Sequence, residues 1–137
     1  MLNFFGDLKK LQQFLKESFL KNNNYCFLPI YKEFYSFNIL LIERIRHFDR
    51  LHKHITGDIL LRTSLESFQY IISANNSIDS EKSAKIQKLI NNIDTLNIIL
   101  RLCQDVKILS KKHYVILIEL LDNTNQQAKK WFIKYCK

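Results

Sequence analysis

The chain has 137 residues and a formal net charge of +8, from 21 Lys and Arg against 13 Asp and Glu. This length suits one domain with a single hydrophobic core. Only two Gly and one Pro occur, too few turn residues for a many-stranded sandwich or barrel, so we expect an all-α protein. The positive balance favours contact with phosphate-rich partners.

The sequence predicts a cytoplasmic protein that does not enter a membrane. The opening residues 1–7 lack a basic stretch followed by an apolar block, and no run approaches the ~18 apolar residues of a membrane span. Cys26, Cys103 and Cys136 are odd in number and widely separated. We therefore expect three free thiols in a reducing compartment.

Residues 1–28 form a predicted helical extension ahead of a bundle over residues 29–137. Leucines and phenylalanines recur at helical spacing in residues 3–21, with lysines turned away, which is typical of a short amphipathic helix. Two roles stay open for it: docking across the bundle, or serving as an arm that binds a partner or a membrane surface.

Pro29 suits the first turn of a helix, because its missing N–H would have no partner there. The first bundle helix then follows from apolar residues at helical spacing, Ile30, Phe34, Phe37, Leu41, Ile45 and Phe48. It closes in a cationic stretch, residues 44–54. Thr56 is placed to cap the second helix, with Asp58 in its first turn. The seam of that second helix is expected at Leu61, Leu65, Phe68 and Ile72, flanked by Leu60, Ser64 and Ile71.

After a predicted loop at residues 74–78, Asp79 or Ser80 can cap a third helix that runs to about Leu109. Its expected inward residues are Ile86, Leu89 or Ile90, Ile93, Leu96, Leu100, Cys103 and Val106, widened by Ile99 and Leu102. Ser110 is placed to cap the fourth helix, whose expected inward residues are Tyr114, Leu117, Leu121, Ala128, Trp131 and Tyr135. Four long helices with short connections predict an antiparallel up-down bundle.

No catalytic site, metal site or cofactor is predicted. Glu43 and His47 are four residues apart and could share a helix face, but a second such pair is missing, and no cysteine pair has finger spacing. Cys103 falls in an apolar seam, where a thiolate is disfavoured. Solvated histidines and a buried thiol are therefore the expected roles, and enzymatic activity is not expected.

Arg101 and Asp105 are four residues apart on the third helix, a spacing that brings opposite charges together. Arg101 stands among apolar neighbours, so we expect it to be partly buried and satisfied by a carboxylate or a carbonyl. A subunit contact or a nucleic-acid contact is the alternative. The aromatic residues beside basic positions, Phe48, Trp131 and Tyr135, are expected to be core anchors rather than platforms for bases.

We expect most of the exposed basic potential in two clusters, residues 44–54 and residues 129–137. Strict alternation of four helices would place them at opposite poles of the bundle. Around a cyclic oligomer, however, each cluster would become a ring of like charge able to hold many phosphates. The candidate nucleic-acid-binding residues are Arg44, Arg46, Arg50, Lys53, Lys129, Lys130 and Lys134; those assigned to structure or subunit contact are Arg101, Asp105 and Trp131.

Three motifs between about Pro29 and Lys134 carry a family resemblance. They are Phe48-Asp49-Arg50 with Thr56-Gly57, then Leu100-Arg101-Leu102-Cys103-Gln104-Asp105-Val106-Lys107-Ile108-Leu109-Ser110 with Tyr114, and Trp131-Phe132-Ile133-Lys134. In these the chain resembles the accessory variability determinant family of diversity-generating retroelements and its relatives, the four-helix-bundle proteins encoded in ribosomal RNA intervening sequences. Two departures stand out: Asp49 occupies the usual proline position, and Lys129-Lys130 replace a usual pair of glycines.

The resemblance implies a basic homopentamer that binds a reverse transcriptase and its template RNA, and supports mutagenic complementary-DNA synthesis without catalysis of its own. DNA or an RNA/DNA hybrid is an alternative ligand. Arg50, Arg101 and Lys134 match charged family positions, whereas Lys53, Lys129 and Lys130 are included on charge alone. The alternative function is a protein-interaction module of the ribosomal-RNA-encoded type with no nucleic-acid role.

Overall fold

The computed structural model describes residues 9, 10, 13, 25 and 28–136. Four long helices account for most of them: α1 (Pro29–Ile45), α2 (Arg50–Asn76), α3 (Asp79–Asp105) and α4 (Lys111–Tyr135). These described residues include no β-strand. The all-α class predicted from the scarcity of Gly and Pro is confirmed.

The four helices pack against one another around a single apolar core. α3 lies between α2 and α4, and α1 packs mainly on α4. Lys82 near the start of α3 contacts Ala74 near the end of α2, while Asn92 contacts Glu66, so these two helices run in opposite directions. Arg44 at the end of α1 likewise meets His113 at the start of α4.

Helix α2 begins earlier than its sequence pattern suggests. Asp49 is its N-cap, because one carboxylate oxygen accepts the N–H of His52 at 3.0 Å. The predicted cap at Thr56 is therefore wrong, and Thr56 with Asp58 lies inside the helix. The cationic stretch at residues 44–54 thus spans the end of α1 and the first turns of α2.

Of the caps predicted for α3 and α4, one is wrong and one is confirmed. Ser110 caps α4 as predicted, accepting the N–H of His113 at 3.3 Å. The N-cap residue of α3 is Ile78, whose apolar side chain cannot accept a hydrogen bond, and Asp79 lies inside the first turn. The proposed capping by Asp79 or Ser80 is wrong, although the Asp79 carboxylate still opposes the positive helix start.

The end of α3 is a tight left-handed stop. Lys107 adopts φ 66°; its N–H reaches the carbonyl of Gln104, and the N–H of Ile108 reaches that of Cys103. This is the Schellman arrangement, in which glycine usually holds the left-handed position. The helix consequently ends at Asp105, four residues before the predicted Leu109.

The residues predicted to face the core agree best with the observed burial on α1. All six predicted inward residues there and in the following turn are buried. On α2 the buried face is centred on Leu60, Ser64 and Ile71, while Leu65 and Ile72 are only partly buried. Leu102 on α3 and Val106 directly after it are exposed, which contradicts their predicted core positions.

The predicted N-terminal helix falls almost wholly outside the described residues; of it, only Lys9, Lys10 and Gln13 are described, as helical and exposed. Cys26 also lies outside them. Cys103 and Cys136 are both free thiols, the first buried and the second exposed. None of the described helices is long and apolar enough to span a membrane.

Candidate nucleic-acid interface

The helix directions bring two inter-helix turns to one end of the bundle. We call this end the Arg50 pole and define it as residues 43–54 and 101–113. Its eight cations are Arg44, Arg46, Arg50, Lys53, Arg101, Lys107, Lys111 and Lys112. The same residues include only three carboxylates, those of Glu43, Asp49 and Asp105. The pole also contains all four histidines of the chain.

Several of these cations occupy positions that oppose the helix dipole. Lys111 and Lys112 are the first two residues of α4, and Arg50 is the first residue of α2. Neither helix has an acidic residue in its first turn. Because a helix start carries partial positive charge, cations there weaken the fold, and the same geometry attracts anions. The local charge therefore favours binding of an anionic ligand and lowers the stability of the fold.

Arg44 differs from the other cations of this pole. Its side chain is only 17% exposed. One terminal nitrogen contacts the His113 ring, 3.0 Å from Nε2, and the other donates to Glu43 Oε1 at 2.9 Å. Arg44 thus links α1 to α4, whereas Arg46 and Arg50 are exposed.

The cap of α2 adds a small anionic site within the pole. Asp49 accepts the backbone N–H of His52, and its second oxygen lies 2.6 Å from Nδ1 of the same histidine. These hydrogen bonds, the backbone one first, hold the pKa of the Asp49 carboxyl below its ordinary value. Asp49 is therefore an ionised N-cap of α2 and has a structural role.

The opposite end holds a second basic group, which we call the Lys134 pole and define as residues 74–85 and 129–136. Its lysines are Lys82, Lys85, Lys129, Lys130 and Lys134, against the carboxylates of Asp79 and Glu81. Along α4 it lies about 30 Å from the Arg50 pole, at 1.5 Å per residue. The predicted separation of the two basic clusters is confirmed, and they form no single patch on one protomer.

Between the poles the charge reverses sign. The middle of the bundle, residues 28–42, 55–73, 86–100 and 114–128, contains Lys32, Arg62 and Lys88 against Glu33, Asp58, Glu66, Asp94, Glu119 and Asp122. Asp58 is buried and accepts from Arg62 Nε at 2.7 Å. A polyanion is therefore attracted to the two ends of the bundle and repelled along its sides.

The residues assigned to structure or subunit contact occupy different settings. Arg101 pairs with Asp105, Nε to Oδ2 at 3.6 Å, as their spacing predicts. Its side chain is 67% exposed, so the expected partial burial of Arg101 is wrong. Trp131 is half-buried and packs against the core from the last turns of α4.

Sequence reasoning missed three cations of the Arg50 pole, namely Lys107, Lys111 and Lys112. They are 50 or more residues from Arg50 in the chain, and only the pairing of the helices brings them to the same end. The available signal was Ser110, which places both following lysines at a helix start. Sequence reasoning also missed Lys82, whose buried ammonium donates to the carbonyls of Ala74 and Asn75 and closes the end of α2.

Among the described residues, no group of three or more His, Cys, Asp or Glu side chains is arranged to hold a metal ion. Comparison of the chain with family models, curated proteins and solved structures finds no match. The geometry and charge of the two poles are therefore the basis for a functional assignment.

Proposed function

We propose that this protein is a non-enzymatic accessory factor of a diversity-generating retroelement. In this proposal it binds template RNA and a reverse transcriptase, as a basic oligomer, and supports mutagenic complementary-DNA synthesis. The observation that carries the nucleic-acid part is the Arg50 pole, where eight cations meet three carboxylates at two helix starts. The family part rests on the sequence resemblance.

The binding mechanism is electrostatic. Exposed Arg46, Arg50, Lys111 and Lys112 can each approach a phosphate. Contacts of this kind fix the position of a strand without reading its sequence. This suits a factor that must hold any template presented to the polymerase.

An exposed apolar surface is available for protein partners, and part of it lies within the Arg50 pole. Leu51, Ile55 and Ile59 on α2 repeat every four residues and are exposed, as are Ile98 and Leu102 on α3 and Val106 directly after it. The contacts of Lys82 and Asn92 set a register that brings these two stripes to the same level of the bundle. Exposed apolar patches of this kind mark sites of protein contact, which supports both self-association and binding of a polymerase.

The same stripes favour a second candidate function, a protein-interaction module without a nucleic-acid role. The two candidates differ in the role of the basic side chains. Under the first, the unfavourable lysines at the start of α4 contact phosphate. Under the second, they are solvated, and only the apolar stripes matter.

Co-expression with a candidate reverse transcriptase and its template RNA tests the proposal directly. We expect all three to co-purify, and a variant with Arg46→Gln, Arg50→Gln, Lys111→Gln and Lys112→Gln to lose the RNA while keeping the polymerase. Retention of RNA by this variant would contradict the electrostatic mechanism. Co-purification of the polymerase alone with the unaltered protein would favour the interaction module.

A further inference from the structure

A cleft of about 420 Å³ opens at the Lys134 pole. It is lined by the start of α1, the end of α2, Lys82 near the start of α3 and the last turns of α4. Pro29, Ile30, Trp131 and Tyr135 are among the lining residues. Its volume falls within the range of small-ligand pockets. The cleft is therefore large enough to accept one flat heterocycle with its attached sugar and phosphate.

Two aromatic rings line this cleft from one helix face. Trp131 and Tyr135 are four residues apart on α4 and both are half-buried. Each is packed against the core, so neither ring needs to be ordered when a ligand arrives. Fixed aromatic side chains of this kind stack on bases irrespective of base identity.

Two ammonium groups lie close to the Tyr135 ring. Lys134 Nζ lies 5.4 Å from the centre of the Tyr135 ring, and Lys82 Nζ lies 5.6 Å from it. Lys82 is only 8% exposed and is fixed by the two carbonyls at the end of α2. Lys130 also lines the cleft, so that two exposed ammonium groups and one buried group flank the aromatic pair.

Polar groups complete the lining. Asn75 and Gln127 also line the cleft, and a side-chain amide can both donate and accept a hydrogen bond. The apolar wall and aromatic rings match the faces of a base, and amide groups match its edges. The ammonium groups match the phosphate of the same nucleotide. An acidic peptide would match the cations but would leave the rings and amides without partners.

We propose that this cleft binds one unstacked nucleotide of single-stranded RNA or DNA, with the base against Trp131 and Tyr135 and the phosphate against Lys130 and Lys134. The inference rests on the proposed nucleic-acid role and adds to it a contact with a base. A paired base is shielded within a duplex, so the cleft selects single strands. It lies at the opposite end of the bundle from the Arg50 pole.

Trp131 is the only tryptophan of the chain, so its fluorescence reports on this cleft alone. The test titrates the full-length protein with an oligouridylate of about ten nucleotides, within the range of single-strand site sizes. An abasic oligonucleotide of the same length provides the same phosphates without bases, and polyglutamate provides carboxylates. Anisotropy of labelled oligomers measures binding independently of Trp131.

We expect the oligouridylate to quench Trp131 and to bind at least about fivefold more tightly than the abasic strand, the lower bound for loss of one stacked base. Equal affinities with no change in Trp131 emission would overturn the base contact while leaving the electrostatic function intact. Failure of both oligomers to bind would overturn the base contact and the proposed function together. Quenching by polyglutamate to the same extent would show a site for acidic peptides and overturn the assignment.

Two variants separate the cleft from general folding. Tyr135→Leu retains Trp131 as the reporter and should reduce the preference for the oligouridylate over the abasic strand about fivefold. Tyr35→Leu removes an exposed tyrosine of α1 that does not line the cleft, and should leave the preference unchanged. If Tyr135→Leu proves unfolded by circular dichroism, quenching in the unaltered protein still decides the question. An unchanged preference in a folded Tyr135→Leu protein would contradict the proposed stacking.

Discussion

Neutralising the two lysines at the start of α4 should change stability and RNA binding in opposite directions. Lys111 and Lys112 are exposed, lie in the first turn of α4 and have no acidic residue beside them in that turn. Each cation at a helix start costs about 0.3 to 1 kcal/mol. The double variant Lys111→Gln/Lys112→Gln should therefore be more stable by about 1 kcal/mol, which corresponds to about 3 °C in Tm for a chain of this length.

The same substitutions should weaken binding of single-stranded RNA. Each lost phosphate contact lowers the slope of log K against log salt by about 0.7, so the double variant should lose about 1.4. At about 150 mM salt this corresponds to roughly a tenfold loss of affinity. Calorimetry measures the effect on stability, and anisotropy titrations at several salt concentrations measure the effect on RNA binding.

Lys88→Gln is the control, because Lys88 is exposed in the middle of α3 and undergoes the same change of charge. It should alter neither the salt slope nor Tm appreciably. A double variant that is stabilised yet binds RNA with an unchanged slope would show that these lysines do not contact phosphate. A destabilised double variant would refute the dipole argument itself.

Three further outcomes follow from single residues. Lys82→Met should lower the free energy of unfolding by about 1 to 3 kcal/mol, because two carbonyls at the end of α2 lose a charged donor. Urea denaturation measures this loss. The control variant Lys88→Met, on the exposed face, should have little effect. Lys107→Gly should be more stable than Lys107→Ala by about 1 kcal/mol in the same assay, since only glycine relieves the φ of 66°; equal stabilities would contradict that conformation. Burial raises the pKa of the Cys103 thiol to about 11, so thiol reagents near pH 8 should modify exposed Cys136 in the folded protein and leave Cys103 unmodified. Because the unfolded thiol ionises first, stability should fall as pH rises from 9 towards 11, and this fall should be smaller in Cys103→Ala.

The sequence predicted the helices better than their ends. Pro29 and one regular apolar stripe were enough to define α1, because every residue of that stripe is buried. On α2 and α3 the exposed Leu51, Ile55 and Leu102 make the outer face apolar as well, so periodicity alone could not identify the inward face. Thr56 was mistaken for a cap because it stands just before an apolar run, whereas Asp49 already satisfies the backbone at the true start.

The candidate site was predicted only in part for a similar reason. Arg46, Arg50 and Lys134 stand in linear basic clusters that composition reveals directly. The contribution of Lys107, Lys111 and Lys112 depends on which helix ends meet, and the cleft beside Trp131 depends on the approach of α1, α2 and α4. Neither arrangement is encoded in the spacing of one segment.

Positive ends on an acidic middle also constrain how copies of this protein can associate. Head-to-tail contact of two protomers would bring like charges together, which penalises the open-ended stacking that produces fibres. Lateral contact through the outer apolar stripes of α2 and α3 avoids that repulsion. Because Leu51, Leu102 and Val106 also belong to the Arg50 pole, the Lys134 pole is the basic end that the proposed side-by-side association would leave uncovered.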